Sequence, residues 1–274
     1  MGEVFLTLGN NWQKVVDLTT QVEGMGFALN ASYNDNFNPN AENSVESLFE
    51  VQYASDGGYS FWNNENQAAW TSPFMGPRGA NFVGGGFGWN QPTQEFIDRY
   101  EANDQRKNVT VLYEGAPQFD GKSYQASYSA TGYNVKKFLI PLSVSPSFDN
   151  SPMNFPILRF SNILLMKAEA LNELGQTALA EKPLNAVRNR AGLPNIATGL
   201  SKDQFREKVL DERRIELAFE GQRWFDLIRV NKGQYGLDFL HSIGKTNATQ
   251  KHLLFPIPQI ERDRNPNLTQ NPGY

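Results

Sequence analysis

The sequence contains no cysteine, so neither a disulfide framework nor a thiolate metal site contributes to its fold or chemistry. Histidine is scarce as well: His241 and His252 are too few for an ordinary histidine-built catalytic metal centre. There is no long apolar run, and the mean hydropathy is −0.52, which excludes a transmembrane helix. Basic residues do not predominate. Lysine and arginine number 25 against 29 acidic residues, so the electrostatic footprint of a nucleic-acid-binding protein is missing. Met1-Gly2-Glu3 offers neither a cationic n-region nor an apolar h-region, so no signal peptide is read at this start.

At ~100–200 residues per domain, a chain of 274 allows one large domain or two modest ones. Aromatic residues make up 12% of it, and asparagine is frequent. Large rings beside neutral amides suit sugar or peptide binding better than phosphate or metal chemistry. The charge is uneven: 8 basic and 16 acidic residues precede Phe155, and 17 basic and 13 acidic follow it.

Val4, Phe5, Leu6 and Leu8 run into Gly9, a residue suited to a left-handed helix C-cap. Asn10 or Asn11 can then cap a second helix, whose Trp12, Val15, Val16, Thr19 and Val22 share one face until Gly24 and Gly26. The first helix is too short to stand alone, so the chain is expected to be a fragment of something longer. Asn30–Asn43 is polar and turn-forming. Ser47–Tyr53 and Asn108–Tyr113 are strand candidates. Between them, Gly57–Asn90 is rich in glycine and rings and has no regular period, the mark of a long loop with a task.

After Pro156 the pattern becomes helical. Arg159–Gly175 carries Leu164, Ala168 and Leu171 on one stripe and stops at Gly175. A helix over Lys182–Ala191 would place Pro183 in its first turn and end at Gly192. Ser201 and Gln204 form a capping box, with Leu200 and Phe205 as the hydrophobic staple. That helix is expected to run from Lys202 to about Glu220 and break at Gly221. Trp224, Leu227 and Ile228 resume an apolar face before Gly233 and Gly236. The tail Leu254–Tyr274 reads as extended chain on the surface.

Several segments together resemble the SusD/RagB family of outer-membrane nutrient-binding lipoproteins. They are RFSNILLMKAEALNELG at Arg159–Gly175, PLNAVRNRAGLP at Pro183–Pro194, RRIELAFEGQRWFDLIRVNKG at Arg213–Gly233 and LLFPIPQIERDRNPNLTQNPGY at Leu253–Tyr274. Glu46–Ala54, Asn108–Gly115 and Thr131–Phe138 add to the likeness. The resemblance implies a mainly α SusD-like fold, with tetratricopeptide-type helical hairpins, long irregular loops and a few short strands. It implies a single domain over 1–274, truncated at its N-terminus. Residues 1–26 would be the remnant of a hairpin, 27–154 the loop-rich candidate ligand region and 155–274 the helical signature region. It further implies a non-catalytic glycan-binding protein, without cofactor, at the cell surface. A lipid on an upstream segment absent from this sequence would tether it, and it would serve a SusC-like TonB-dependent transporter. Peptide capture, as in the RagB branch, is the alternative within the family.

Two sets of residues are candidates for the function. Glu212, Glu216, Glu220 and Asp226 are the densest carboxylates, and a glycan-cleaving enzyme would use Glu216 and Glu220 as a pair about 5–9 Å apart. Their spacing with Arg213 and Arg223, at i, i+3, i+7 and i+10, favours instead a structural stripe of alternating charge. The other set is the aromatic middle: Tyr59, Phe61, Trp62, Trp70, Phe74, Phe82, Phe87 and Trp89, with amides such as Asn63, Asn64, Asn81 and Asn90. From it, Tyr59, Trp62, Asn63, Asn64, Trp70, Phe74, Asn81 and Trp89 are the candidate glycan contacts. Rings beside adaptable polar groups make a recognition surface; equally, they could be a local core that holds the loop down. Trp12 and Trp224 read as packing residues. Gly84-Gly85-Gly86 with Gly88 lacks the lysine and hydroxyl of a phosphate loop and reads as flexible or closely packed backbone. The Asn34–Glu42 oxygens do not fit calcium-loop spacing, and both histidines read as surface or capping residues.

Overall fold

The protein is described from a computed structural model, covering residues 1–55 and 67–274. Helices α1 (Gly2–Leu8) and α2 (Trp12–Glu23) form an antiparallel hairpin, followed by strand β1 (Ser47–Val51). The loop-rich middle holds α3 (Thr71–Met75), α4 (Gln94–Ile97), α5 (Lys107–Thr110), β2 (Val111–Leu112) and β3 (Asn134–Val135). Strand β4 (Phe155–Arg159) leads into α6 (Phe160–Glu173), α7 (Thr177–Arg190), α8 (Lys202–Glu216), α9 (Arg223–Arg229), α10 (Gln234–Ser242) and α11 (Gln259–Arg264). β1 pairs antiparallel with β4 and β2 with β3, giving two small two-stranded sheets.

Helix α6 is the axis of the molecule, packed by α1, α2, α7 and α8. Its expected stripe is buried, but so is nearly its whole circumference from Phe160 to Asn172. A helix enclosed on all sides must satisfy its polar groups internally. Asn162 accepts from Arg213 (2.7 Å) and donates to Glu3 (2.8 Å), and Asn172 donates to the Lys202 carbonyl (2.9 Å).

Gly9 caps α1 with φ 62°, as its position after Leu8 predicts. Asn11 caps α2 through its own left-handed backbone, without a side-chain bond. The capping box at Ser201 and Gln204 is present, and Leu200 and Phe205 pack on the same core. Four expectations need correction. Half of the expected Asn108–Tyr113 strand lies in α5, with only Val111 and Leu112 in a ladder. Helix α7 begins at Thr177, so Pro183 lies in its interior. There its ring withholds an amide from the Leu179 carbonyl, which sits on an exposed residue where water can serve it, while Ala180, Leu184 and Val187 are fully buried. The tail is not wholly extended, since α11 interrupts it. Helix α8 ends at Glu216, before Glu220, and Phe219 turns the chain with φ 64°.

That early stop dissolves the expected charge stripe and builds something deeper. Arg159, 2% exposed, donates to Glu46 (2.6 Å), Glu216 (3.0 Å) and Glu220 (2.8 Å). Arg190 joins Glu46 to Glu216, and Arg106 joins Asp104, Glu212 and Glu216. Lys137 closes on Glu220 at 2.5 Å and lies 4.4 Å above the Phe37 ring. Tyr33 donates its hydroxyl to the Glu216 carbonyl (2.8 Å). The polar Asn30–Asn43 segment thus roofs a buried ionic centre with two rings. Arg213, meanwhile, turns to Asp226 (3.0 Å), which Arg229 also holds.

Candidate functional site

The aromatic middle is clamped to the body at defined points. Ser72 at the start of α3 is buried and accepts from the Ile140 amide (2.9 Å), and Ala69 donates to the Ser151 carbonyl (2.7 Å). Phe82 fills a core with Leu112, Tyr124 and Leu139. Beyond it the glycine segment folds back over α3. Phe87, Gly88 and Trp89 donate their amides to the carbonyls of Pro73, Gly76 and Phe74, each at 2.8 Å. The glycines make this approach possible. A Cβ on Gly86 would stand 2.5 Å from the Pro77 carbonyl oxygen, and one on Gly84 would stand 2.6 Å from the Ser147 backbone. The segment is closely packed backbone, one of the two roles its composition allows.

This clamp sets the rings in order. Trp89 lies flat on Phe74, with centroids 4.5 Å apart and planes 11° from parallel. Phe87 leans on both, and Trp70 joins Phe74 (5.6 Å) to Phe148 (5.5 Å). Offset stacking of this kind fixes ring orientation as well as burying area. The outer members stay in solvent: Trp89 is 55% exposed, Phe148 40% and Phe87 39%. The cluster is therefore a supported platform, with Phe74 and Trp70 beneath and three rings outside.

A groove of about 460 Å³ runs beside Trp89 and Phe87, walled by Arg78, Gln91, Ser127, Tyr128 and Ser129. Arg78 donates to the Phe87 carbonyl (3.0 Å) and Gln91 to that of Gly88 (3.0 Å), so both are held at the platform edge. A second cavity of about 480 Å³ has Asn90, Phe96, Phe219 and Trp224 in its wall and shares Gln91 with the first.

Of the residues predicted from the sequence, Trp70, Phe74 and Trp89 come together. Asn81 is exposed and lines neither cavity; its carbonyl accepts from Lys122. Tyr59, Trp62, Asn63 and Asn64 lie outside the described residues. Trp12 packs on the helical core as expected. Trp224 packs against Phe255 but also walls the second cavity, a role its helical face did not announce. Phe148, Tyr128, Arg78 and Gln91 were not anticipated, because they reach the platform only through tertiary folding.

Of the carboxylate candidates, Glu216 and Glu220 line neither of these cavities, while Glu212 and Asp226 reach other cavity walls but are held there by arginines. Glu216 is fully buried, and burial alone would raise its pKa; the guanidiniums of Arg190, Arg159 and Arg106 overcome this and hold it well below the ordinary 4.5. Burial raises Glu212 in spite of Arg106 and Arg188, and lowers Lys137 to about 8 against the pull of Glu220. These shifts belong to an ionic core, which perturbs titration much as an active site does. Among the described residues no cluster of three or more His, Asp or Glu side chains is placed to hold a metal ion. Both histidines are at the surface, and His252 accepts the Thr249 amide (2.9 Å) as a cap.

The model of the SusD family matches residues 45–274. The chain belongs to the SusD family. A SusD-like protein, P2, from Formosa agariphila is 31% identical over 250 residues, covering 84% of this chain and 48% of its own. A laminarin-binding SusD-like protein superposes with a TM-score of 0.82 at 29% identity, covering all of this chain and 61% of the other. Surface glycan-binding protein A of Bacteroides thetaiotaomicron, solved with laminarihexaose, gives 0.76 at 27% identity over 98% and 62%. The chain spans about half the length of the curated relatives it matches. The mainly helical SusD fold accounts for the helical hairpins, the long irregular middle and the shortness of the strands.

Proposed function

We propose that this SusD-family chain binds glycans without cleaving them, on the platform of Trp89, Phe87 and Phe148. The observation that carries this is Trp89, half in solvent and stacked flat on Phe74 at the mouth of a groove. A sugar ring presents a flat face of C–H groups, and an indole held rigidly by a second ring receives it with little ordering cost. The hydroxyls of Ser127, Tyr128 and Ser129 and the amide of Gln91 stand within the same walls to meet sugar hydroxyls. Relatives solved as laminarin- or laminarihexaose-binding proteins support a glycan as ligand.

No chemistry follows binding in this reading. Glu216 and Glu220, the pair considered for hydrolysis, are sealed inside and bound to Arg159. No cofactor is invoked. We further propose that 1–274 acts as one SusD/RagB-like domain of a longer protein. That protein would be held at the outer-membrane surface by a lipid on an upstream segment, and would pass its ligand to a SusC-like TonB-dependent transporter. No described helix is long and apolar enough to cross a membrane.

Tryptophan fluorescence titrated with laminari-oligosaccharides, other soluble oligosaccharides and short peptides tests the reading. A saturable response to a sugar, lost in a Trp70→Ala, Trp89→Ala double variant and without release of reducing ends, is expected. A response confined to peptides would shift the function to peptide capture. Binding that survives the double variant would remove the platform from the site.

A further inference from the structure

The cavities of this molecule differ in charge. Three other cavities among the described residues have carboxylates in their walls: Glu3 and Asp226 in one, Glu169 and Glu173 in another, Asp211 and Glu212 in the third. The two that share Gln91 have none, although the first half of the sequence is markedly acidic. What they have is arginine. Arg78 stands in one wall, and Arg214 and Arg223 in the other.

The three guanidiniums are not equivalent. Arg214 is neutralised by both oxygens of Glu95. Arg78 has the Phe87 carbonyl as a partner but no ion pair among the described residues. Arg223 is more unusual. It lies against the rings of Tyr235 and Phe239, at 5.5 and 4.9 Å, touches the Tyr235 hydroxyl only at 3.5 Å, and has a buried Nε with no hydrogen-bond partner. Glu207 feels its charge through space but lies beyond ion-pair distance. A buried, unmet donor on a charged group is costly to leave unmade. The Arg223 side chain lines an apolar cavity of about 480 Å³, large enough for a sugar ring.

We propose that the two cavities, joined at Gln91, form one cleft for an anionic oligosaccharide, with its carboxylate or sulfate groups received by Arg78 and Arg223. The proposal rests on the platform being the glycan site and adds the ligand's charge. Stacking on Trp89 positions the chain of sugars, and the two arginines select it. Arginine suits this task because its planar fork meets a carboxylate or sulfate with two parallel bonds, and its charge persists at any working pH. The missing carboxylates matter equally: an acidic wall would repel such a ligand.

The experiment compares size-matched oligosaccharides by tryptophan fluorescence: an oligouronate, the same oligomer with its carboxyls reduced, a sulfated oligomer and a neutral laminari-oligosaccharide. The anionic ligand is expected to bind about tenfold or more tighter than its neutral counterpart, the scale of one charge-assisted hydrogen bond gained. That preference should shrink in about 0.5 M salt, where exposed charges are screened. Arg78→Gln and Arg223→Gln should each bring the ratio of affinities toward one, while Lys14→Gln, on the outer face of α2, leaves it unchanged. Arg223→Lys, which keeps charge and loses the fork, separates charge from geometry and guards against misfolding of the glutamine variant. The uronate and sulfate arms tell which anion the cleft takes. Equal affinity for neutral and anionic ligands, unchanged in the arginine variants, overturns the charge proposal and leaves the platform standing. Loss of all sugar binding to the unaltered protein overturns both.

Discussion

Two parts of this molecule concentrate unusual side chains, and they do so in opposite ways. The centre around Arg159 and Glu216 gathers charge where water cannot reach, and every charge there is met by another within the fold. The platform around Trp89 gathers apolar rings where water can reach, and Trp89, Phe148 and Phe87 each keep a large part of their surface in solvent. A buried, satisfied cluster acts on its own protein; an exposed, unsatisfied one is available to something else. Residue type alone does not separate the two, since paired glutamates can serve chemistry or structure and aromatic rings recognition or a core. Burial places the glutamates in the structural role and leaves the rings accessible.

The contrast can be broken most forcefully at Arg159. Replacing it with alanine strands Glu46, Glu216 and Glu220 together without their common partner. Removing one member of a buried pair costs about 3–5 kcal/mol. Urea denaturation of Arg159→Ala should show a loss of at least that size, or no folded protein; a loss under about 1 kcal/mol would mean that the centre is not structural.

The next largest effect is in the acid limb of the stability curve. Glu216 and Asp226 both have pKa values held below ordinary, burial being outweighed by their arginines. Their contribution is present in full above the unfolded values of 4.5 and 3.8, and is lost as pH falls through the lower folded values. Glu212, raised by burial, opposes this just above pH 4.5. The melting temperature should therefore fall steeply below pH 4, and little between pH 6 and pH 5. A melting temperature level down to about pH 3 would contradict the assignment.

Smaller again is Gly84→Ala. Its Cβ would meet the Ser147 backbone at 2.6 Å, an overpacking that costs about 1–3 kcal/mol and displaces the loop beneath the rings. Glycan affinity should fall with stability in this variant. Ser201→Ala, which removes only the cap of α8, should cost about 1 kcal/mol by denaturation and leave binding unchanged. The smallest stability effect belongs to Trp89→Ala. A half-exposed ring contributes little to folding, on the order of 0.5–1 kcal/mol for its stack on Phe74. Yet this variant should lose most of its glycan binding. If Trp89→Ala unfolds the protein, the platform is core after all.

The helical scaffold was legible because its signals are local. The Gly9 stop, the Ser201 capping box and the apolar face of α2 each sit within a few residues of what they specify. Pro183 and the end of α8 were misplaced because tertiary burial decided them: α7 is held by its packing on α6, and α8 stops where Phe219 must turn to carry Glu220 inward. The partners of Arg159 come from Glu46, Glu216 and Glu220, joined only by β1–β4 pairing and the return of the chain after α8. The candidate site was legible only in part. Trp70, Phe74 and Trp89 stood out as a cluster of rings, while Phe148, Tyr128 and Arg78 carry no local mark of the surface they share.

The glycine segment that seats the platform divides responsibilities along one short stretch of chain. At Gly84 and Gly86 the backbone passes so close to its neighbours that a single methyl group is excluded, so these positions are answerable to the fold alone. At Phe87 and Trp89 the amides do the anchoring, and the side chains are left outside. Frame and lettering alternate. A library randomised at 87 and 89 would therefore sample ligand preference while nearly every member still folds, and one randomised at 84 and 86 would return mostly unfolded chains.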